Sequence, residues 1–285
     1  MATPESTTPG GKDTQSQRGG ITRRVLLRGG LALSPALVLG AWVGNTVRAT
    51  SHAAAQRHAA RADQPVPACV VTPQETEGPY FVDEQLFRAD IRADPTTGLV
   101  KDGTPLRLGL RVSQVGGDNA CTALAGAVVD IWHCDALGVY SDARDPSFNT
   151  QGQKFLRGAQ ITDDSGAVEF LTIYPGWYQG RAVHIHFKVR TNPGSANGYE
   201  FTSQLYFDEA LTDVVHAQAP YAARGQGRLR NAGDGIYRSG GGDQLLLLPM
   251  QTDEGYAATF AVGLDLSAPS APAGPQGGPG GGPRP

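Results

Sequence analysis

Within a core of about residues 67–266, apolar and polar positions alternate with a period of two, in short runs broken by Gly, Pro, Asn and Asp. "PLRLGLRV" sets Leu106, Leu108, Leu110 and Val112 on one face of a strand. "GAVVDIWHC", "AVEFLTIYP", "VHIHFKVRT", "EFTSQLYFD", "QLLLLPMQ" and "YAATFAVGLDL" are further runs rich in β-branched and aromatic residues. Helical periodicity is nearly absent, and only "DEALTDVVHAQAPY" offers a short helix. Many short strands with turn signals between them predict an all-β chain, an antiparallel β-sandwich with few short helices.

The two ends of the 285-residue chain lack this pattern. Arg23 and Arg24 precede an apolar run from Leu31 to Val43, and small residues follow in "RATSHAAAQ". That order predicts a twin-arginine-type export signal over residues 1–55, with cleavage near Ala49 or Ala55; a retained N-terminal anchor is the other reading. Residues 56–66 read as a linker, residues 67–266 as one domain, and 267–285 as a Pro/Gly-rich tail unable to bury apolar surface. The expected location is outside the cytoplasm, with the membrane touched only through the signal segment.

A net charge of −3, with arginines scattered beyond the signal, gives no basic surface for nucleic acid, so a small-molecule partner is expected. The three cysteines, Cys69, Cys121 and Cys134, would meet an oxidising compartment after export, and one disulfide with one thiol left over is the simplest count. The pairing stays open in the sequence; a straight strand over residues 126–133 would span roughly 25 Å, which argues against Cys121 with Cys134 unless the chain before Gly126 folds back.

The densest chemistry lies in "YPGWYQGRAVHIHFKV", residues 174–189. On a strand His184 and His186 point the same way, on the order of 7 Å apart, while Ile185 and Phe187 face the core. Two imidazoles so placed can converge on one ion, although an isolated pair equally suits two hydrogen-bonded structural histidines. Tyr178, in the Pro/Gly turn before the histidines, and Tyr140, in the turn of "CDALGVYSD", both fall on loops. A tyrosinate ligand needs a cation of high charge to hold it deprotonated, and a hard metal such as Fe(III) does this while still accepting imidazole.

The strings "TPQETEGPYF", "VVDIWHCDALGVYSD", "FLRGAQITDDSGAVEFLTIYPGWYQGRAVHIHFKV" and "SQLYFDEALTD" resemble the intradiol ring-cleavage dioxygenases, the group that includes catechol 1,2-dioxygenases and protocatechuate 3,4-dioxygenases. The resemblance covers nearly all of residues 69–266 and lies closest to exported, single-domain members. It implies that Tyr140, Tyr178, His184 and His186 hold one non-haem Fe(III) per chain. It implies a catechol derivative and O2 as substrates, a cis,cis-muconate-type product, and Tyr178 as the ligand that leaves when it takes a substrate proton. Arg181 matches a catalytic arginine that stabilises carbanion character on the ring, and Gln204 matches a glutamine beside the substrate and O2. The other reading of Arg181 is an ordinary salt bridge on an exposed loop.

Only "QGRAV" separates Tyr178 from His184, where cytosolic relatives carry a longer insertion, so a smaller cover over the site is expected. Asp130 with the histidine pair would spell a facial-triad Fe(II) site, but Asp130 and His133 face opposite ways on a strand. His216 reads as a surface residue of the short helix. Tyr80 either lines the substrate pocket or plugs the space under the N-terminal segment. A secreted sandwich that binds a metal or an aromatic ligand without turnover is the competing function, because fold alone never establishes catalysis. Oligomeric state is left open by the sequence.

Overall fold

A computed structural model of the chain describes residues 69–117, 120–195, 198–225 and 227–268. The chain divides into two units, Met1–Pro65 and Val66–Pro285, and all described residues belong to the second. The expected export signal, the linker and the tail beyond residue 268 lie outside the described residues.

Twelve strands account for most of the regular structure among the described residues: β1 (Pro105–Val115), β2 (Cys121–Ala123), β3 (Val128–Trp132), β4 (Arg144–Asp145), β5 (Phe148–Asn149), β6 (Arg157–Ile161), β7 (Ala167–Ile173), β8 (His184–Thr191), β9 (Tyr199–Phe207), β10 (Leu246–Leu247), β11 (Met250–Thr252) and β12 (Gly255–Leu264). One sheet runs β11-β12-β1-β2, with β7 also pairing β1; the other runs β10-β9-β8-β3-β6. The sandwich is mostly antiparallel, as the short strands with turn signals between them predict. Two pairings are parallel, β1 with β12 and β9 with β10, because in each case the returning strand comes back through a long connection rather than a hairpin.

The alternation read in β1 holds: Leu106, Leu108, Leu110 and Val112 are fully buried. They share one apolar cluster with Val129 and Ile131 of β3, Ile185, Phe187 and Val189 of β8, and Leu205 of β9, so the inner faces of the two sheets pack on each other. The helix predicted in "DEALTDVVHAQAPY" forms over Glu209–His216, with the Asp208 side chain capping its first turn.

The outer face of the second sheet is not bare. β8 is buried along nearly its whole length, and its outward residues are His184, His186, Lys188 and Arg190. Residues 72–88 run across that face as a strap. Thr72 N–H donates to the Gly263 carbonyl on β12 (2.8 Å), Glu75 N–H to Thr202 on β9 (2.9 Å) and Arg88 N–H to Ala159 on β6 (3.0 Å). Lys188 pairs with Glu77 of the strap, and Arg190 with Asp83 of the strap and Asp130 of β3. Burying these cations demands such partners, since an unpaired buried charge is very costly. A Cys69–Cys121 disulfide (Cα–Cα 5.4 Å) fastens the start of the strap to β2, and Cys134 is the leftover thiol, buried.

Candidate metal centre

The strand register decides what surrounds the histidines. His186 pairs with Trp132 on β3 and with Gln204 on β9, and His184 pairs with Tyr206. These side chains rise from the outer face as neighbours in one row. Trp132 lies flat on the His186 ring, centroids 4.9 Å apart and planes 4° apart. Gly78 of the strap also packs close to that ring: a Cβ there would sit 3.3 Å from His186 Cε1, and its φ of +71° suits glycine.

Two loops bring in the tyrosines. Tyr140 ends the loop after β3, which Asp135 organises by accepting bonds from Leu137 N–H and Val139 N–H (both 3.0 Å). The loop after β7 carries Tyr178. The loops touch backbone to backbone, so a Cβ on Gly176 would come within 2.4 Å of the Asp135 carbonyl oxygen, and one on Gly138 within 2.3 Å of that of Trp177.

Tyr140, His184 and His186 converge in a buried spot. The two Nε2 atoms stand 2.9 Å apart, and the Tyr140 hydroxyl is 3.2 Å from that of His184. His184 Nδ1 is 2.7 Å from the Ala182 carbonyl, which can only accept, so Nδ1 carries the proton and Nε2 is a bare lone pair aimed at His186. Burial, with Arg181 close by, pushes the His184 pKa down to about 3; burial and His184 hold that of His186 well below its usual value. Burial also holds the Tyr140 phenol well above its ordinary pKa. Neutral imidazoles and a phenol that surrenders its proton only to a strong positive charge form a donor set that fits a hard trivalent cation. Among the described residues no three His, Cys, Asp or Glu side chains come together, so a two-histidine, one-carboxylate site is not built here.

Tyr178 packs edge-on against Tyr140 of this trio (ring centroids 5.8 Å, 78°). Its hydroxyl donates to Asp145 (2.9 Å) and lies 2.6 Å from that of Tyr80, which also reaches Asp145 at 2.7 Å. The three oxygens form a triangle in which the single Tyr80 proton serves Tyr178 or Asp145. Burial works against ionising Asp145, yet bonds from Ser147, Tyr80 and Tyr178 bring its pKa to about 2, so the carboxylate stays charged. That fixed acceptor holds the Tyr178 hydroxyl at Asp145. Tyr80 shows the aromatic packing that was one of its two readings. It stacks on Tyr140 (4.4 Å, 17°) as a buried aromatic, and its hydroxyl faces the site.

Arg181 and Gln204 meet beside His184. Arg181 Nη2 donates to Gln204 Oε1 at 2.6 Å, and Gln204 Nε2 donates to the Thr76 carbonyl of the strap at 2.9 Å, so the amide is held at both ends. Arg181 does form a salt bridge, through Nε to Asp234 (2.9 Å), but the pair is largely buried rather than on an exposed loop. Behind Gln204 the Tyr206 hydroxyl donates to Glu75 at 2.8 Å. Burial raises the Glu75 pKa to about 7 although Tyr206 and Arg181 oppose it, and its other oxygen has no partner.

Asp130 is taken by Arg190, and His133 lies on the other face of the sheet, its ring bonded to Thr172 (2.7 Å) and the Cys134 carbonyl (2.8 Å). His216 is no free surface residue: it bonds the Pro175 carbonyl (3.0 Å) and stacks on Tyr221 (5.1 Å, 10°). Asp145, Asp234, Glu75, Trp132 and Tyr206 were not singled out by sequence. Alternation from Gln204 along "SQLYF", and from Asp130 along "VVDIW", would have flagged Tyr206 and Trp132; nothing local marks the three acids.

A family model described as Dioxygenase matches residues 76–229. The chain is 30% identical over 171 residues to a chlorocatechol 1,2-dioxygenase of Pseudomonas putida, covering 50% of this chain and 58% of that protein. It is 33% identical over 144 residues to a protocatechuate 3,4-dioxygenase beta chain of Burkholderia cepacia, covering 46% and 59%. The chain thus spans a little over half the length of these relatives. Among solved structures, an intradiol ring-cleavage dioxygenase from Tetranychus urticae aligns at 28% identity with a TM-score of 0.61, covering 71% of this chain and 98% of that one.

Proposed function

The chain belongs to the intradiol ring-cleavage dioxygenase family, and on that premise we propose that it is a non-haem Fe(III)-dependent enzyme inserting both atoms of O2 into a catechol-type ring to give a cis,cis-muconate-type product. The observation that carries this reading is the convergence of the His184 and His186 Nε2 atoms, the former unprotonated, with the Tyr140 hydroxyl in a buried spot.

Tyr140, His184 and His186 would hold the ion, with Tyr178 as the fourth and displaceable donor. A bound ferric ion would supply Lewis acidity and a template for both hydroxyl oxygens of the diol. Once it has given up its own proton as a ligand to the ion, Tyr178 Oη would be the base for one substrate hydroxyl proton, and the charged Asp145 would then accept the bond from the neutral phenol, with Tyr80 as the second partner. Arg181 places a permanent positive charge, backed by Asp234, where negative charge builds on the ring carbon. Gln204 is immobilised between Arg181 and Thr76 and borders the same space. Trp132, Gly78 and the strap keep water from His186.

Export is part of the proposal: the Cys69–Cys121 disulfide supports an oxidising compartment, and the paired Arg23 and Arg24 support the route. The test is O2 uptake by the iron-loaded protein over plain, alkylated, hydroxylated and carboxylated catechols, with ultraviolet detection of the muconate. One O2 consumed per ring opened between its hydroxyls is expected. Binding of catechols with no O2 uptake would replace the enzyme reading with that of a binding protein.

A further inference from the structure

We propose that Asp234 is a positioning residue that fixes Arg181 and His184 in one frame, so that guanidinium and metal-binding imidazole keep a constant relation; the inference rests on the role of these two residues given above. Asp234 is 1% exposed. Its Oδ2 accepts Arg181 Nε (2.9 Å) and the Ala182 backbone N–H (2.8 Å). The carbonyl of that same Ala182 accepts the His184 Nδ1 proton at 2.7 Å. A single carboxylate oxygen therefore orients the arginine directly and the histidine through one residue of backbone.

The other oxygen has a separate task. Oδ1 accepts Ile236 N–H at 2.8 Å and starts the short helix Gly235–Ser239. Capping and positioning are thus divided between the two oxygens, and substitutions can part them. Asp234→Ser retains a good helix-capping group but is too short to bridge Arg181 and Ala182. Asp234→Asn retains the shape but sets an amide donor or a single neutral oxygen against two N–H donors. Outer partners of metal-binding histidines typically change metal affinity or activity by about 10- to 100-fold.

The experiment uses the full chain as wild type, Asp234→Asn and Asp234→Ser, alone and with Arg181→Ala. Fe(III) affinity is read by competition with a chelator, kcat and KM with catechol, and folding by thermal denaturation. Both variants should bind iron about tenfold more weakly and lose about 10- to 100-fold in kcat, with KM within threefold. With Arg181→Ala already present, Asp234→Asn should cost less than threefold further in kcat yet still weaken iron binding. In metal-free protein the His184 Nδ1–H resonance should exchange at least tenfold faster in Asp234→Asn, a result that stands even if no catechol is turned over. Both variants folding less stably but within twofold of wild type in iron affinity, kcat and His184 exchange would leave Asp234 a helix cap and overturn the proposal.

Discussion

His184 and His186 direct their Nε2 atoms at each other across 2.9 Å, and the His184 atom carries no proton. A cation bound by both would take the place of the hydrogen bond between them. Loading Fe(III) at 100 times its Kd should stabilise the fold by about 2.7 kcal/mol, raising the thermal midpoint of wild type. His186→Ala should abolish that shift, and thermal denaturation with and without iron checks it.

Tyr80 shares its one proton with Tyr178 and Asp145; burial raises the Tyr178 pKa, the bond from Tyr80 opposes that, and Asp145 adds to it. Tyr80→Phe keeps the stack on Tyr140 and removes the donor. The Tyr178 phenol should then ionise less readily, so the pH-rate profile moves to higher pH and kcat falls about tenfold, roughly one strong hydrogen bond. The thermal midpoint should barely move.

Glu75 is buried behind Tyr206, facing Arg181 and Asp234, with its pKa raised from 4.5 to about 7. Because the folded state prefers the protonated acid, this contribution to stability is fully present below pH 4.5 and is lost as pH rises through about 7. Glu75→Gln, which stays neutral, should gain on the order of 2 kcal/mol relative to wild type at pH 8 and almost nothing at pH 4. Urea unfolding at the two pH values measures the difference.

The Cys69–Cys121 disulfide spans 52 residues of sequence. Closing a loop of that size is worth about 4 kcal/mol in the chain-entropy account. Cys69→Ser should lower stability by up to that amount. Because the strap it fastens carries Glu75, Gly78 and Tyr80, the same change should weaken iron binding, read by chelator competition.

What was legible in the sequence followed from period-two alternation. It set His184 and His186 on one face and Ile185 and Phe187 on the other, as the structure places them, and it separated Asp130 from His133. What was not legible depends on distant segments. Tyr80 is 98 residues from Tyr178 and 65 from Asp145, and Asp234 is 53 from Arg181; no local period links them. The parallel return of β12 beside β1 was hidden for the same reason, since alternation reports faces and not strand direction.

The central claim is a ferric centre held by tyrosines and histidines, and the visible spectrum of purified, metal-quantified protein tests it most directly. One iron per chain and a red to burgundy colour that shifts on adding catechol without O2, and is partly bleached by Tyr178→Phe, is the predicted result. A colourless protein that retains zinc or copper would contradict it.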